Sequence, residues 1–207
     1  MVAKIIELSI GDYAGIRNEY RSTLYSEIAT YLSGSGSVAK YKNAVRLAVN
    51  TAFTEASDMG YVDGGGTLPT DKDTNDWLNG RVAAEFANVD ALFTQLAALR
   101  KDPEFEKSEA SDIAMTRADG YTATLDGIYN ESKVRGAGNL MLTFGGEDGH
   151  TKGFPCRTCA KAKGQRHRAS WWIKRGLIPY PGNSNFDCGA WQCKHFLYTD
   201  AGDLFTI

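Results

Sequence analysis

No stretch of this 207-residue chain approaches the apolar run of about 18–20 residues that a membrane-spanning helix needs. The opening MVAKIIELSIGD carries one lysine and an apolar run broken by Glu7, too short and too polar for a signal peptide. These two absences lead us to expect folding in the cytosol, where thiols stay reduced. Catalytic signatures are missing as well. There is no H-E-x-x-H, no Walker loop and no G-x-S-x-G elbow. No internal repeat is present. Acidic residues vanish between Asp148 and Asp187, and cysteine is scarce: all four lie between Cys156 and Cys193.

What remains in that acid-free stretch organises the rest. The cysteines read Cys156-x2-Cys159, then 28 residues, then Cys188-x4-Cys193. Two close pairs separated by a long insert can place four sulfurs around one tetrahedral ion, because each pair sits on a tight turn and the insert lets the second turn fold back. Cys156, Cys159, Cys188 and Cys193 are therefore the expected ligands of a structural Zn2+. Two disulfides, or reduced thiols that only pack, are the alternatives. A redox role for Cys156 and Cys159 lacks the βαβ surroundings it needs. His195, two residues past Cys193, is either a substitute ligand or a group beside the site. Four thiolates would fill the shell and leave no position for water, so catalysis at the metal is not expected.

Charge is split. From Thr151 onward nine Lys and Arg face three Asp and Glu, a balance of +6, whereas the preceding residues carry −8. Lys161, Lys163, Arg166, Arg168, Lys174 and Arg175 are the candidate contacts to nucleic acid or to an acidic protein surface. A solvated cationic face without a partner is the plain alternative. Trp171, Trp172 and Trp191 interleave with these charges. They either stack on bases or, for at least two of them, fill the core around the metal.

The first 138 residues read as helices. Ile5–Ile10 alternates like a short strand, and Asp12 is placed to cap a helix whose apolar face is Ile16, Tyr20, Leu24, Ile28 and Leu32. A second helix runs from Val38 to Met59, with Gly60 as its stop. A third begins near Asp71–Asp76 and carries Val82, Phe86, Val89, Leu92, Leu96 and Leu99. Asp102-Pro103-Glu104 reads as the start of a fourth, with Ala114, Ala118, Tyr121, Leu125 and Ile128 facing inward and an end near Gly136 or Gly138. Asn130-Glu131-Ser132 spells a glycosylation acceptor inside that helix, a chance match. Leu140–Phe144 reads as a strand, Ala169–Arg175 as one or two helical turns, and Lys194–Tyr198 with Leu204–Ile207 as a hairpin. The expected fold is mainly α: a helical bundle over 1–138, then a small α+β module over 139–207, stapled by zinc on four cysteines and ending in a C-terminal hairpin.

The order of parts resembles the head morphogenesis, or MuF-like, minor capsid proteins of tailed bacteriophages. The residues that carry the resemblance are TRADGYTATLDGIYNESKVRGAG, then LMLTFGG, then PCRTCAKAKGQ with its late partner FDCGAWQCKHFL. They span about Ser111–Leu197. In that family a C-x-x-C beside a short Gly-Gln stretch pairs with a distal cysteine cluster. Cys156, Cys159, Lys163-Gly164-Gln165, Cys188 and Cys193 occupy those places here. The distal cluster departs from the common histidine-proline form, reading Phe186-Asp187-Cys188 with a wider gap, and the chain is short for the family. The resemblance implies a non-catalytic minor virion component of head or neck, assembled in the host cytoplasm. Its partners would be portal or capsid proteins in a homo- or hetero-oligomeric assembly, with packaged DNA as a further partner and no membrane. Two other readings stay open. One is an HNH-like nuclease with His167 or His150 as base and Asn183 and Asn185 nearby. The other is a regulatory zinc module that binds nucleic acid.

Overall fold

A computed structural model describes residues 10–34, 36–147, 156–190 and 194–207. Four long helices come first: α1 (Ile10–Ser33), α2 (Val38–Asp63), α3 (Lys72–Leu99) and α4 (Ala110–Gly136), the last preceded by a 3-10 turn at Lys107–Glu109. A small three-stranded antiparallel sheet follows, built from β1 (Met141–Gly146), β2 (Arg166–Arg168) and β3 (His195–Tyr198) in the order β2-β1-β3. Two short helices, α5 (Arg157–Ala162) and α6 (Ala169–Arg175), flank β2. The mainly α bundle with a small α+β module is thus the observed fold. Among the described residues no helix is long and apolar enough to cross a membrane.

The apolar stripes become the bundle core. Tyr20, Leu24, Ile28 and Leu32 of α1 pack with Val45, Val49, Phe53 and Met59 of α2, with Val89, Phe93 and Leu96 of α3, and with Ala114, Leu125 and Ile128 of α4. Spacings of three and four residues put these side chains on one face of each helix, and burying them supplies most of the driving force. The ends are held by polar groups. Asp71 accepts from the Thr74 amide at 2.8 Å and from the Tyr61 hydroxyl at 2.8 Å, capping α3 while tying it to α2. Arg100, just past α3, donates to the carbonyls of Gly34 and Gly36 and lies 4.4 Å from the Tyr31 ring centroid, closing the turn between α1 and α2.

Three boundaries differ from expectation. α1 already begins at Ile10, two residues before the start expected at Asp12; of the strand expected over Ile5–Ile10 only Ile10 is described, and it is helical. Gly60 does not stop α2, which continues to Asp63. A Cβ at Gly60 would sit 2.4 Å from the Tyr129 carbonyl oxygen, so the glycine lets α2 and α4 approach. Asp102-Pro103-Glu104 does not start α4. The Asp102 carboxylate accepts the Glu104 amide at 2.9 Å in a local turn, and the helix waits until Ala110, the first residue of this stretch to be buried.

One core group works against the fold at neutral pH. Glu85 of α3 is only 5% exposed, near Tyr20 and Tyr121, and burial pushes its carboxyl upward, partly offset by the Asn88 amide and Arg81. A raised carboxyl favours the neutral form in the folded chain. The stability it leaves intact in acid, below the ordinary carboxylate range, is therefore lost as pH rises through its folded value. Glu85→Gln should raise Tm by a few degrees at pH 7 and by much less at pH 4. An equal change at both pH values in thermal melts would contradict this reading.

The module has a separate apolar cluster that meets the bundle along α4. Leu142, Phe144, Trp172, Ile178, Phe186 and Leu197 are buried together with Val134 of α4. Phe144 on the central strand stacks against Trp172, Phe186 and His195 at 5.9, 6.0 and 5.3 Å. The Trp172 indole donates to the Leu142 carbonyl at 3.2 Å. Gly127 of α4 accepts the Tyr180 ring, whose nearest atom would stand 2.7 Å from a Cβ there. Asn130, the sequon asparagine, is fully buried and bonds the Ile207 backbone in both directions at 2.8 and 2.9 Å. The hairpin is present but short. β3 pairs mainly with β1, from Thr143↔Tyr198 to Gly146↔His195, and its return makes one bridge, Tyr198↔Leu204.

Candidate metal centre

Cys156 is the residue before α5, and its sulfur accepts the Cys159 amide at 3.4 Å. The x2 spacing thereby becomes a turn in which both sulfurs face the same side. The distal cysteine is brought in by the loop after α6. Gly176 ends that helix in the left-handed conformation. Asn183 then folds the loop, donating its amide to the carbonyls of Gly176 and Ile178 at 2.9 and 2.8 Å and accepting the Asn185 amide at 3.0 Å. The turn at Cys188 closes through Gly189 and Ala190, both at positive φ (61° and 55°), and directs the Ala190 amide to the Cys188 sulfur at 3.3 Å. A non-glycine residue there costs on the order of 1 kcal/mol. Asp187 links the two turns by accepting the Thr158 amide at 3.2 Å.

The result is one cluster. The sulfurs of Cys156, Cys159 and Cys188 lie within 4.8 Å of one another. Sulfurs about 2.3 Å from a tetrahedral ion are spaced about 3.8 Å apart, so these three residues fit such an ion and can hold it. Cys159 is buried, while Cys156 and Cys188 are half-buried. Burial alone would push the Cys156 thiol up. Hydrogen bonds from the Cys159 amide and from the Cys159 and Cys188 thiols outweigh that, and the net direction is down, toward the thiolate a metal requires. Cys193, the fourth expected ligand, lies outside the described residues, as do Trp191 and His150. His195 is 3% exposed on β3 and stacked on Phe144. It is not among the three mutually close ligand groups.

The six candidate cations are all exposed, and three of them line one groove. Arg166, Arg168 and Lys174 border a groove of about 530 Å3 between β2 and α6, with Arg175 beside it over Trp171. Lys161 on α5 and Lys163 just after it do not line this groove. Arg166 is engaged by the Asp200 carboxylate, which its guanidinium holds below the usual carboxylate range. The tryptophans divide their work. Trp172 is core, and Trp171 is half-buried against His167, with ring centroids 3.7 Å apart. His167 therefore sits in an aromatic stack, near Gln165, in a groove that no carboxylate among the described residues lines. Asn183 and Asn185 are spent on loop carbonyls.

The sequence reading overlooked Asn183, Asp187 and Ala190 as shapers of the site. Pro181-Gly182-Asn183 reads as a turn, which was the available signal for the first, whereas nothing in the sequence marked Ala190 for a left-handed backbone. Comparison with protein-family models, with curated proteins and with solved structures found no match to this chain.

Proposed function

We propose that this chain is a non-catalytic structural protein in which a helical bundle docks on a larger assembly and a zinc-stapled module turns a cationic face toward nucleic acid. The convergence of Cys156, Cys159 and Cys188, on two turns braced by amide–sulfur bonds, is the observation that carries the reading. Soft thiolates on tight turns suit Zn2+. With Cys193 as the fourth ligand the shell closes, and the ion acts through folding rather than on a substrate. The resemblance to MuF-like proteins supplies the setting: the head or neck of a tailed phage, portal or capsid subunits as partners, packaged DNA as the nucleic acid, and the virion as the place.

Protein mass spectrometry of gradient-purified particles tests the setting. Detection of the chain in particles that retain the portal, at a constant ratio to it across fractions, is the expected result. Complete particles from which the chain is missing would contradict the virion role and leave the metal site to be explained by a soluble nucleic-acid-binding protein.

A further inference from the structure

The groove between β2 and α6 has a feature that a plain cationic surface does not need. Its floor is a pair of stacked aromatic rings, His167 and Trp171, 3.7 Å apart and 16° from parallel. The pair is fixed from behind. Trp172, fully buried, meets Trp171 edge-on at 4.9 Å and His167 edge-on at 5.6 Å. β2 is held to β1 through Leu142↔His167, with Arg166 and Arg168 on either side. Cations surround the rings. Arg168 and Lys174 line the groove, and the Arg175 guanidinium lies 5.2 Å from the Trp171 centroid. No Asp or Glu among the described residues borders the groove, and Ser170 adds a hydroxyl.

Flat rings set among cations match a particular chemistry. A base can stack on them only if it has left a duplex, because paired bases already cover each other's faces. A double helix is also poorly served by the shape. Reading the major groove takes a projecting helix or ribbon, whereas α6 is seven residues long and is buried through Ala169 and Trp172. An acidic peptide would use the cations and gain nothing from the stack.

We propose that this groove binds single-stranded nucleic acid by stacking an unpaired base on the His167–Trp171 pair, while Arg168, Lys174 and Arg175 meet the adjoining phosphates. The proposal rests on the nucleic-acid-facing role given above and specifies its substrate class. Arg166, held by Asp200, frames the groove rather than supplying a free charge.

The test uses the full chain, a fluorescein-labelled 12-mer oligothymidylate and a duplex of the same length, with anisotropy and tryptophan emission read at two salt concentrations. The single strand should bind at least about tenfold more tightly than the duplex and quench tryptophan emission, as base–aromatic stacking does. Trp171→Ala should weaken it by about tenfold or more without changing the salt slope. Trp171→Phe, which keeps a stacking ring, should retain most of the affinity and guards against loss through misfolding. Lys174→Gln should lower the salt slope by about one. Equal binding of duplex and single strand, indifferent to Trp171→Phe and Trp171→Ala, would overturn the stacking proposal while leaving the broader nucleic-acid role intact. Oligoglutamate competing as well as the oligonucleotide would also overturn it, by showing a generic cation surface. Binding of neither nucleic acid would remove both readings.

Discussion

Cys156→Ser should unfold the module and leave the bundle standing. A serine hydroxyl is a poor metal ligand at neutral pH, and the substitution removes one of the three thiols that converge on the site. A structural zinc contributes on the order of 10–16 kcal/mol of apparent folding free energy, more than a module of this size holds in its own core. The Cys188 turn would lose its purpose, and the loop from Gly176 to Ala190 would no longer be drawn to α5. The bundle has an independent core of α1, α2, α3 and α4 side chains, and Val134 is the one buried apolar residue of α4 assigned to the module's cluster. Limited proteolysis should therefore cut the mutant after about Gly136 and spare a helical fragment. Circular dichroism should keep most of its helical signal, while Trp172, buried in the wild type, should shift its emission to the red. Chelation of the wild-type protein should reproduce both changes. A Cys156→Ser protein with unchanged zinc content and unchanged proteolysis would mean the cluster is misread.

A second large effect lies in the bundle, and its sign depends on which glycine is changed. Alanine at a solvent-facing helix position stabilises by about 0.5–1 kcal/mol relative to glycine. Gly120 of α4 has nothing within 4 Å of its would-be Cβ, so Gly120→Ala should stabilise. At Gly60, Gly64 and Gly136 the nearest atoms are backbone: the carbonyl oxygens of Tyr129 at 2.4 Å, Lys133 at 2.1 Å and Tyr61 at 2.0 Å. These carbonyls cannot swing aside as a side chain can, so a methyl group must push α2 and α4 apart. Overpacking of this kind costs about 1–3 kcal/mol per site, so Gly60→Ala and Gly136→Ala should each lower stability despite the better helix propensity. Together they should cost more than either alone, because both act on one interface. Urea denaturation of the single variants and the double variant reads this directly. A Gly60→Ala protein as stable as Gly120→Ala would show that the helices do not approach so closely.

These glycines also show where sequence reading reached its limit. The stripes Leu24–Ile28–Leu32 and Val89–Leu92–Leu96 were legible because a helix repeats every 3.6 residues and burial follows that repeat. Gly60 was not, since a glycine that admits a neighbouring backbone has the same letter as one that ends a helix. Asp102-Pro103 misled for a related reason: a short acidic side chain before proline serves a turn as well as a cap. At the site, the spacing of Cys156, Cys159 and Cys188 announced the cluster because two tight turns are local. The three-residue strand Arg166–Arg168 was hidden, because its charged residues take strand form only by pairing with Met141, Leu142 and Thr143, more than twenty residues away. His167 and Trp171 meet by the same long-range arrangement, so their stack could be seen only once β2 and α6 were placed.

The proposed staple requires a metal held on cysteine thiolates in the module. Elemental analysis of the purified chain, combined with thiol titration before and after chelation, tests it most directly. The prediction is one zinc per chain, with thiols that react slowly until the chelator removes the metal and then titrate together. A chain with no metal and no titratable thiols would contradict the claim, because its cysteines would be joined as disulfides and the module stapled by sulfur alone.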